Sequence, residues 1–158
     1  MRTSAWFWIA TGLGLGLSPI APGTLGSLLG LALAYPAQHL SGPAFWLAYC
    51  LVSVALCGAG VISATWLCRR LGAEDPPAAV IDEVTAQFMI TALLPPGLWP
   101  IVVSFLLFRL FDITKAFPSN LAERLPEGWG VMADDLVAGI YSLAAYYVLA
   151  KWMPALRG

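Results

Sequence analysis

The chain has 158 residues, of which 59% are hydrophobic and 11% are charged, and its net charge is −1. Because soluble domains carry about 25% charged residues, this composition excludes an ordinary water-soluble domain and predicts an integral membrane protein. A charge balance so near neutral offers no basic face for nucleic acid, and the length predicts one domain over residues 1–158.

Six apolar stretches follow one another along the chain, separated by segments rich in proline, glycine or charge. They cover residues 5–17, 25–40, 44–67, 79–94, 98–113 and 131–152. A helix needs about 20 residues to cross the hydrocarbon core, so 44–67 and 131–152 are predicted to span it. The shorter 79–94 and 98–113 are predicted to form a helical hairpin that turns at residues 95–97. Because backbone polar groups must be satisfied internally in lipid, we expect an all-α, polytopic helical bundle.

The first stretch, residues 5–17, is too short to cross a membrane by itself. It resembles a signal peptide, but the proline-rich SPIAPG that follows lacks a clear cleavage site, so we expect the segment to be retained. We expect it to lie at the membrane interface or to re-enter. Gly12 and Gly16 are four residues apart, a spacing typical of close helix packing.

The charged residues are predicted to gather at one end of these helices. Arg69 and Arg70 close the stretch 44–67, and the positive-inside rule places them at the cytoplasm. Successive crossings then bring the other charges to the same side. These are Asp82, Glu83, Arg109, Asp112, Lys115, Asp134 and Asp135. The chain is therefore predicted to carry one charged site at the cytoplasmic face.

Two pairs of adjacent acids, Asp82-Glu83 and Asp134-Asp135, open apolar stretches. One acid in the first turn of a helix would cap it and complement its dipole. Two acids repel each other and lose hydration beside lipid, which favours compensation by a cation. Carboxylate oxygens suit Mg²⁺, so all four side chains are candidate metal ligands. Neighbours on a helix point about 100° apart, so we expect one ligand from each pair.

Arg109, Asp112 and Lys115, in FRLFDITK, lie at intervals of three and share one flank of a helix. An interfacial ion pair would explain them, but an arginine in so apolar a setting favours phosphate binding, with the lysine as a second positive charge. The loop after the first stretch carries Ser18 and Thr24, whose hydroxyls and neighbouring N–H groups are candidates to hold an anion.

Four motifs occur in a characteristic order: GLSPIAPGTLGSL, the Asp-Glu pair at 82–83, FRLFDITKAFP and GWGVMADDLVAGI. Together they resemble the phosphatidylglycerophosphatase A family over most of the chain. The resemblance implies a bacterial enzyme that uses Mg²⁺ to convert phosphatidylglycerophosphate to phosphatidylglycerol in phospholipid synthesis. It also implies a site that contains every candidate named above, with Ser18 and Thr24 lining the pocket. Departures at Ala116, where the family usually has proline, and in the GWG segment concern loop shape.

The resulting hypothesis is hydrolysis of a lipid phosphomonoester by Mg²⁺-assisted attack of water, with an aspartate nucleophile as the alternative. The expected partners are the lipid substrate and membrane lipids, and the oligomeric state is left open. Two other functions also use acids within membrane helices. A CDP-alcohol phosphatidyltransferase would need two aspartates four residues apart in a D-G-x-x-A-R context, which neither acid pair provides. A small ion or proton transporter would bind near the bilayer midplane, whereas these acids gather at one end.

Overall fold

The computed structural model describes residues 4–115, 117, 119–122 and 125–157, and all regular structure within them is helical. The α-helices in this part of the chain are α1 (Ala5–Ala10), α2 (Pro22–Ala34), α3 (Pro43–Leu71), α4 (Ile81–Ala92), α5 (Leu98–Thr114), α6 (Ser119–Ala122) and α7 (Gly128–Trp152). Short 3₁₀ turns lie at Leu15–Leu17, Tyr35–His39 and Pro154–Leu156. The predicted all-α class is confirmed.

Two of the described helices, α3 and α7, are long and apolar enough to cross a membrane. The most apolar window of α3 has a mean hydropathy of 2.1 and is only 11% buried, against 1.2 and 44% for α7. With 29 residues, α3 is about 43 Å long, which exceeds the hydrocarbon core of a bilayer. α3 therefore presents most of its apolar surface outward, whereas α7 packs within the bundle.

α4 is the central helix, because α2, α3 and α7 all pack against it. Nearly all of its 12 residues are buried, and at this length it rises only about 18 Å. α4 and α5 follow each other with a turn at residues 93–97, as the predicted hairpin requires. The two helices do not pack mainly on each other, however: α5 packs on α7 through Phe108 and its neighbours.

The predicted first stretch, residues 5–17, is not one helix. α1 ends at Ala10, and the chain then turns through positive φ angles at Gly12 (53°), Leu13 (60°) and Gly14 (96°). Gly12 and Gly16 therefore do not share a continuous helix, and the interpretation of their spacing as packing along one helix is wrong. Both nevertheless permit close approaches, since a Cβ at Gly12 would meet Val80 Cγ2 at 2.9 Å and a Cβ at Gly16 would meet the carbonyl oxygen of Ala78 at 2.2 Å.

The most extensive helix contact among the described residues joins α2 to α4, through glycines on one face of α2. A Cβ at Gly26 would lie 2.9 Å from the Cβ of Val80, and a Cβ at Gly30 would lie 2.3 Å from the carbonyl oxygen of Val84. Small residues three or four positions apart let helix backbones approach closely. This contact fixes the start of α2 beside the start of α4, which is where the charged residues lie.

We expect Gly30→Ala to lower the thermal unfolding midpoint, because the added Cβ would press on the backbone of α4. Overpacking of this kind costs about 1–3 kcal/mol. Gly58→Ala in α3 is the matched control, since a Cβ there meets nothing within 4 Å and alanine is the better helix former. Thermal unfolding in detergent measures both variants, and equal midpoints for the two would contradict a glycine-dependent contact.

Candidate active site

Four helix ends surround one cleft of about 320 Å³: the starts of α2, α4 and α7 and the end of α5. The predicted charged residues that line it are Asp82, Glu83, Arg109, Asp112, Lys115, Asp134 and Asp135. Asp75, in the loop between α3 and α4, lines it too, so six acidic side chains face two basic ones. The structure therefore brings the whole predicted charged set together, with an excess of negative charge.

Three of these carboxylates form the tightest group. Oxygen atoms of Asp82, Glu83 and Asp135 all lie within 4.8 Å of one another. One oxygen of each (Oδ1 of Asp82, Oε2 of Glu83 and Oδ2 of Asp135) is buried and has no hydrogen-bond partner among the described residues. Buried carboxylate oxygens without donors are costly, and a divalent cation that prefers oxygen ligands would offset this cost for the group. The donor set fits Mg²⁺.

The two acid pairs contribute differently to this group. Both Asp82 and Glu83 belong to it, whereas from the second pair only Asp135 does. Asp134 accepts the N–H of Asp135 at Oδ1 (3.0 Å) and pairs with Lys115 Nζ at Oδ2 (3.1 Å). The expectation that each pair places one carboxylate in the cluster thus describes 134–135 but not 82–83.

Asp134 and Asp135 do not cap α7, because this helix begins earlier than predicted. This helix begins at Gly128, three residues before the predicted start, so the two aspartates lie in its second turn and no acid lies in its first. The free N–H groups of a helix belong to its first four residues. Asp82 and Glu83, by contrast, do lie in the first turn of α4, where the helix dipole favours negative charge.

Arg109 crosses the cleft from α5 toward α2 and α4. Its Nη1 lies 2.6 Å from Asp112 Oδ2, 3.9 Å from Glu83 Oε1 and 3.4 Å from Ser27 Oγ. Its Nε is buried and has no partner within the described part of the chain. The guanidinium is thus held at the edge of the carboxylate group by its own helix neighbour Asp112, and it retains a donor for another ligand.

The loop residues predicted to bind an anion are placed elsewhere. Ser18 Oγ donates to the carbonyl of Ile20 (2.9 Å) and accepts the N–H of Ile20 (3.2 Å), so its own loop occupies it. Neither Ser18 nor Thr24 lines the cleft, whereas Ala21, Pro22 and Gly23 do. Their predicted role in binding the substrate therefore stays a prediction, since neither side chain is among those that line this cleft.

Three residues that the sequence interpretation passed over also belong to the site. Gly23 lies against Glu83, since a Cβ at Gly23 would be 2.2 Å from Glu83 Oε1. Ser27 contacts Arg109, and Asp75 lines the cleft. The spacing of Gly23, Ser27 and Gly30 at four and three residues could have identified this face of α2. Asp75 carries a weaker signal, an acid directly before two prolines.

The start of α7 is fastened to the end of α3, and this sets the position of Asp134 and Asp135. Arg69 donates to both carboxylate oxygens of Glu127, at 2.7 and 2.9 Å, and this pair holds the pKa of Glu127 below its usual range. The N–H of Gly128 donates to Thr65 Oγ1 (3.2 Å). A Cβ at Gly128 would meet the carbonyl oxygen of Val61 at 2.3 Å, so a glycine is required at this contact.

Comparison of the sequence with known proteins shows the family of this chain. The family model described as Phosphatidylglycerophosphatase A matches residues 8–150. The chain belongs to the phosphatidylglycerophosphatase A family. It is similar to the proteins of that name from Haemophilus influenzae (36% identity over 151 residues, 92% of this chain and 88% of the relative) and from Escherichia coli (32% over 158 residues, 96% and 87%).

A third relative, from Bacteroides thetaiotaomicron, carries the provisional name phosphatidylinositol-3-phosphatase and is 34% identical over 151 residues, 92% of each chain. No solved structure matches the chain. The named relatives are all phosphatases of phospholipid headgroups, and the family's activity is phosphate removal in phospholipid biosynthesis. A cleft that combines clustered carboxylates with two cations is suited to that reaction.

We expect Gly23→Ala to reduce phosphate release while leaving the protein folded. The added Cβ would meet the end of the flexible Glu83 side chain, which can swing away, rather than backbone. The carboxylate group would then lose its arrangement, and misplacement on the ångström scale costs roughly 100-fold in rate. Activity assays and thermal unfolding measured together distinguish this from Gly30→Ala, whose effect is on stability. Full activity in Gly23→Ala would contradict the role of this contact.

Proposed function

We propose that this chain hydrolyses phosphatidylglycerophosphate to phosphatidylglycerol and inorganic phosphate with Mg²⁺ as cofactor, at the cytoplasmic face of the bacterial inner membrane. Family membership supports the reaction. The single structural observation that supports the mechanism is the group formed by Asp82, Glu83 and Asp135, whose buried oxygens lack donors among the described residues.

In this proposal Asp82, Glu83 and Asp135 hold Mg²⁺, and Asp134 lies at the edge of the same site beside Lys115. The ion, when bound, supplies positive charge for the phosphoryl group and makes a water molecule easier to deprotonate. Its charge also offsets the repulsion between carboxylates that are buried together.

Arg109 and Lys115 orient the phosphate. Arg109 is directed into the cleft by Asp112, and a guanidinium binds phosphate oxygens with two parallel donors. Lys115, directly after α5 with a φ of 42°, lines the same cleft and is held at Asp134. Two cations beside the carboxylate group would together fix the orientation of a bound phosphomonoester.

We favour water over an aspartate as the nucleophile. Of the five acids predicted from the sequence, Asp112 is engaged by Arg109 and Asp134 by Lys115, while Asp82, Glu83 and Asp135 form the proposed cation site. The oxygen of water forms a bond to phosphorus, the bond from phosphorus to the glycerol oxygen breaks, and that oxygen leaves as a hydroxyl after taking up a proton. Phosphatidylglycerol and inorganic phosphate result.

The membrane arrangement follows from α3 and α7. We propose that both cross the bilayer, because α3 is apolar and exposed along most of its length. Arg69 and Arg70, at the same end of the fold as the cleft, support a cytoplasmic location of that end through the positive-inside rule. The chain is then multi-pass, and the cleft lies at the depth of lipid headgroups.

The two alternative functions have less support. The aspartates stand at 75, 82, 112, 134 and 135 and none is followed by glycine, so the D-G-x-x-A-R context of a phosphatidyltransferase is absent from the sequence. The acids gather at one end of the helices, rather than near the middle where transporters bind substrates.

The direct test is phosphate release by purified protein in detergent, with phosphatidylglycerophosphate as substrate and either Mg²⁺ or a chelator present. We expect release with Mg²⁺ and its loss in chelator, because the carboxylate group then lacks its cation. Phosphatidylinositol 3-phosphate, assayed in parallel, tests the alternative headgroup that the third relative's name raises. Equal activity in chelator would overturn the metal site, and preference for the inositol lipid would overturn the substrate.

We expect Asp135→Asn to abolish activity yet raise the thermal unfolding midpoint measured in chelator. The substitution removes one of three buried charges that repel each other when no cation is present. For the same reason, Mg²⁺ should raise the midpoint of the wild-type protein and raise that of the variant much less. Glu74→Gln, an exposed acid of the neighbouring loop, is the control and should behave as wild type. A normal Mg²⁺ shift in Asp135→Asn would exclude this residue from the cation site.

A further inference from the structure

The outer face of α5 beside the cleft is apolar and exposed. Leu106, Arg109 and Ile113 are spaced by three and four residues, so they share one face of the helix. Leu106 is 61% exposed and Ile113 is 72% exposed. Arg109, which enters the cleft, therefore stands between two apolar side chains that no described part of the chain covers.

α2 supplies the opposite wall of this region. Ser27 faces inward and contacts Arg109 across the boundary between the two helices. The next residue, Leu28, is 46% exposed, and Tyr35, seven positions later and hence on the same face, is 48% exposed. Exposed apolar side chains thus lie on both helices that make the Ser27–Arg109 contact, and on α5 they reach the cleft, which Ile113 itself lines.

We propose that this surface, formed by Leu28 of α2, by Tyr35 directly after α2, and by Leu106 and Ile113 of α5, is the lateral entrance of the substrate and holds one of its acyl chains. The inference rests on the proposed function, since it takes the phosphate to lie at Arg109. A lipid whose phosphate is in the cleft must pass its apolar part out of the site. This surface is continuous with Arg109 and runs along α5 away from the charged end.

The direction of α5 supports this occupant. The helix ends at the cleft, so Leu106 lies about 4.5 Å further from the charged end than Arg109. That is the direction in which the hydrocarbon of a lipid lies when its headgroup is at the cleft. In a membrane, other lipids also contact this face, so an acyl chain gains little affinity by moving onto it. The surface would therefore align the acyl chain rather than attract it. Its effect should therefore be on access and alignment, and a bulky side chain there should obstruct a lipid more than a headgroup without acyl chains.

The test compares Leu106→Trp with Leu51→Trp. Leu51, on α3, is 62% exposed, which matches Leu106 in residue type and exposure, and it lies away from the cleft. Each variant is assayed on diacyl phosphatidylglycerophosphate and on its deacylated, water-soluble headgroup, and the ratio of the two kcat/KM values is compared. We expect Leu106→Trp to lower this ratio roughly ten- to hundred-fold through misalignment of the lipid, and Leu51→Trp to leave it at the wild-type value. An unchanged ratio in Leu106→Trp would overturn the proposal.

A second measurement does not depend on turnover. Trace phosphatidylglycerophosphate with a photoactivatable acyl chain is cross-linked to wild-type protein in detergent micelles, with and without excess unlabelled substrate. We expect the unlabelled lipid to suppress labelling around Leu106 and to leave labelling around Leu51 unaffected. Labelling at Leu106 that resists competition would overturn the entrance. Absence of phosphate release from every substrate by the wild-type protein would instead count against the proposed function, and the two failures are therefore distinguishable.

Discussion

Three carboxylates held together in an apolar bundle are the constraint on which the rest of this structure depends. Asp82, Glu83 and Asp135 lie close to one another and are largely removed from water. Ionised carboxylates in such an arrangement repel one another and lose hydration, and both effects are unfavourable. The helix dipole of α4 offsets part of this cost for the first pair, because both lie in its first turn. Asp135 has no such help, since it lies beyond the free N–H groups of α7. The compensation must come from cations: Arg109 at the edge of the group and, in the proposed function, Mg²⁺ within it.

Glycines convert this electrostatic requirement into a helix arrangement. Gly23 leaves room for the Glu83 carboxylate, and Gly30 allows the backbones of α2 and α4 to meet. At the other side of the site, Gly128 seats the start of α7 against α3. Gly23 and Gly128 lie at the charged end of the bundle, and Gly30 lies on the contact that aligns α2 with α4. The site is thus built by close backbone contacts as much as by its charged side chains.

Much of this site could be predicted from sequence, and the reason is topological. Short connections between apolar helices force alternate ends to the same side, so the acids at 82–83, the cations of FRLFDITK and the acids at 134–135 had to meet. Finer placement depends on interactions that have no periodic signature. α7 begins three residues earlier than predicted, where the N–H of Gly128 donates to Thr65 Oγ1. The hydroxyl of Ser18 hydrogen-bonds within its own loop, to the backbone of Ile20. The turn at Gly12 to Gly14 interrupts a run that is apolar throughout, and apolarity alone does not indicate where such a run bends.

α4 is a short helix with polar side chains in a largely apolar protein, and the helices around it explain why these side chains are tolerated. Gln87 donates to Thr91 Oγ1 (3.0 Å), and Gln38 donates to the carbonyl of the same threonine (3.1 Å). Such groups would be costly against lipid, but α2, α3 and α7 surround α4, so its polar atoms face protein. The same enclosure prevents a lipid from reaching Asp82 and Glu83 along α4 itself. A substrate anchored in the bilayer must then approach from the rim of the cleft, where the outer faces of α2 and α5 are apolar and open.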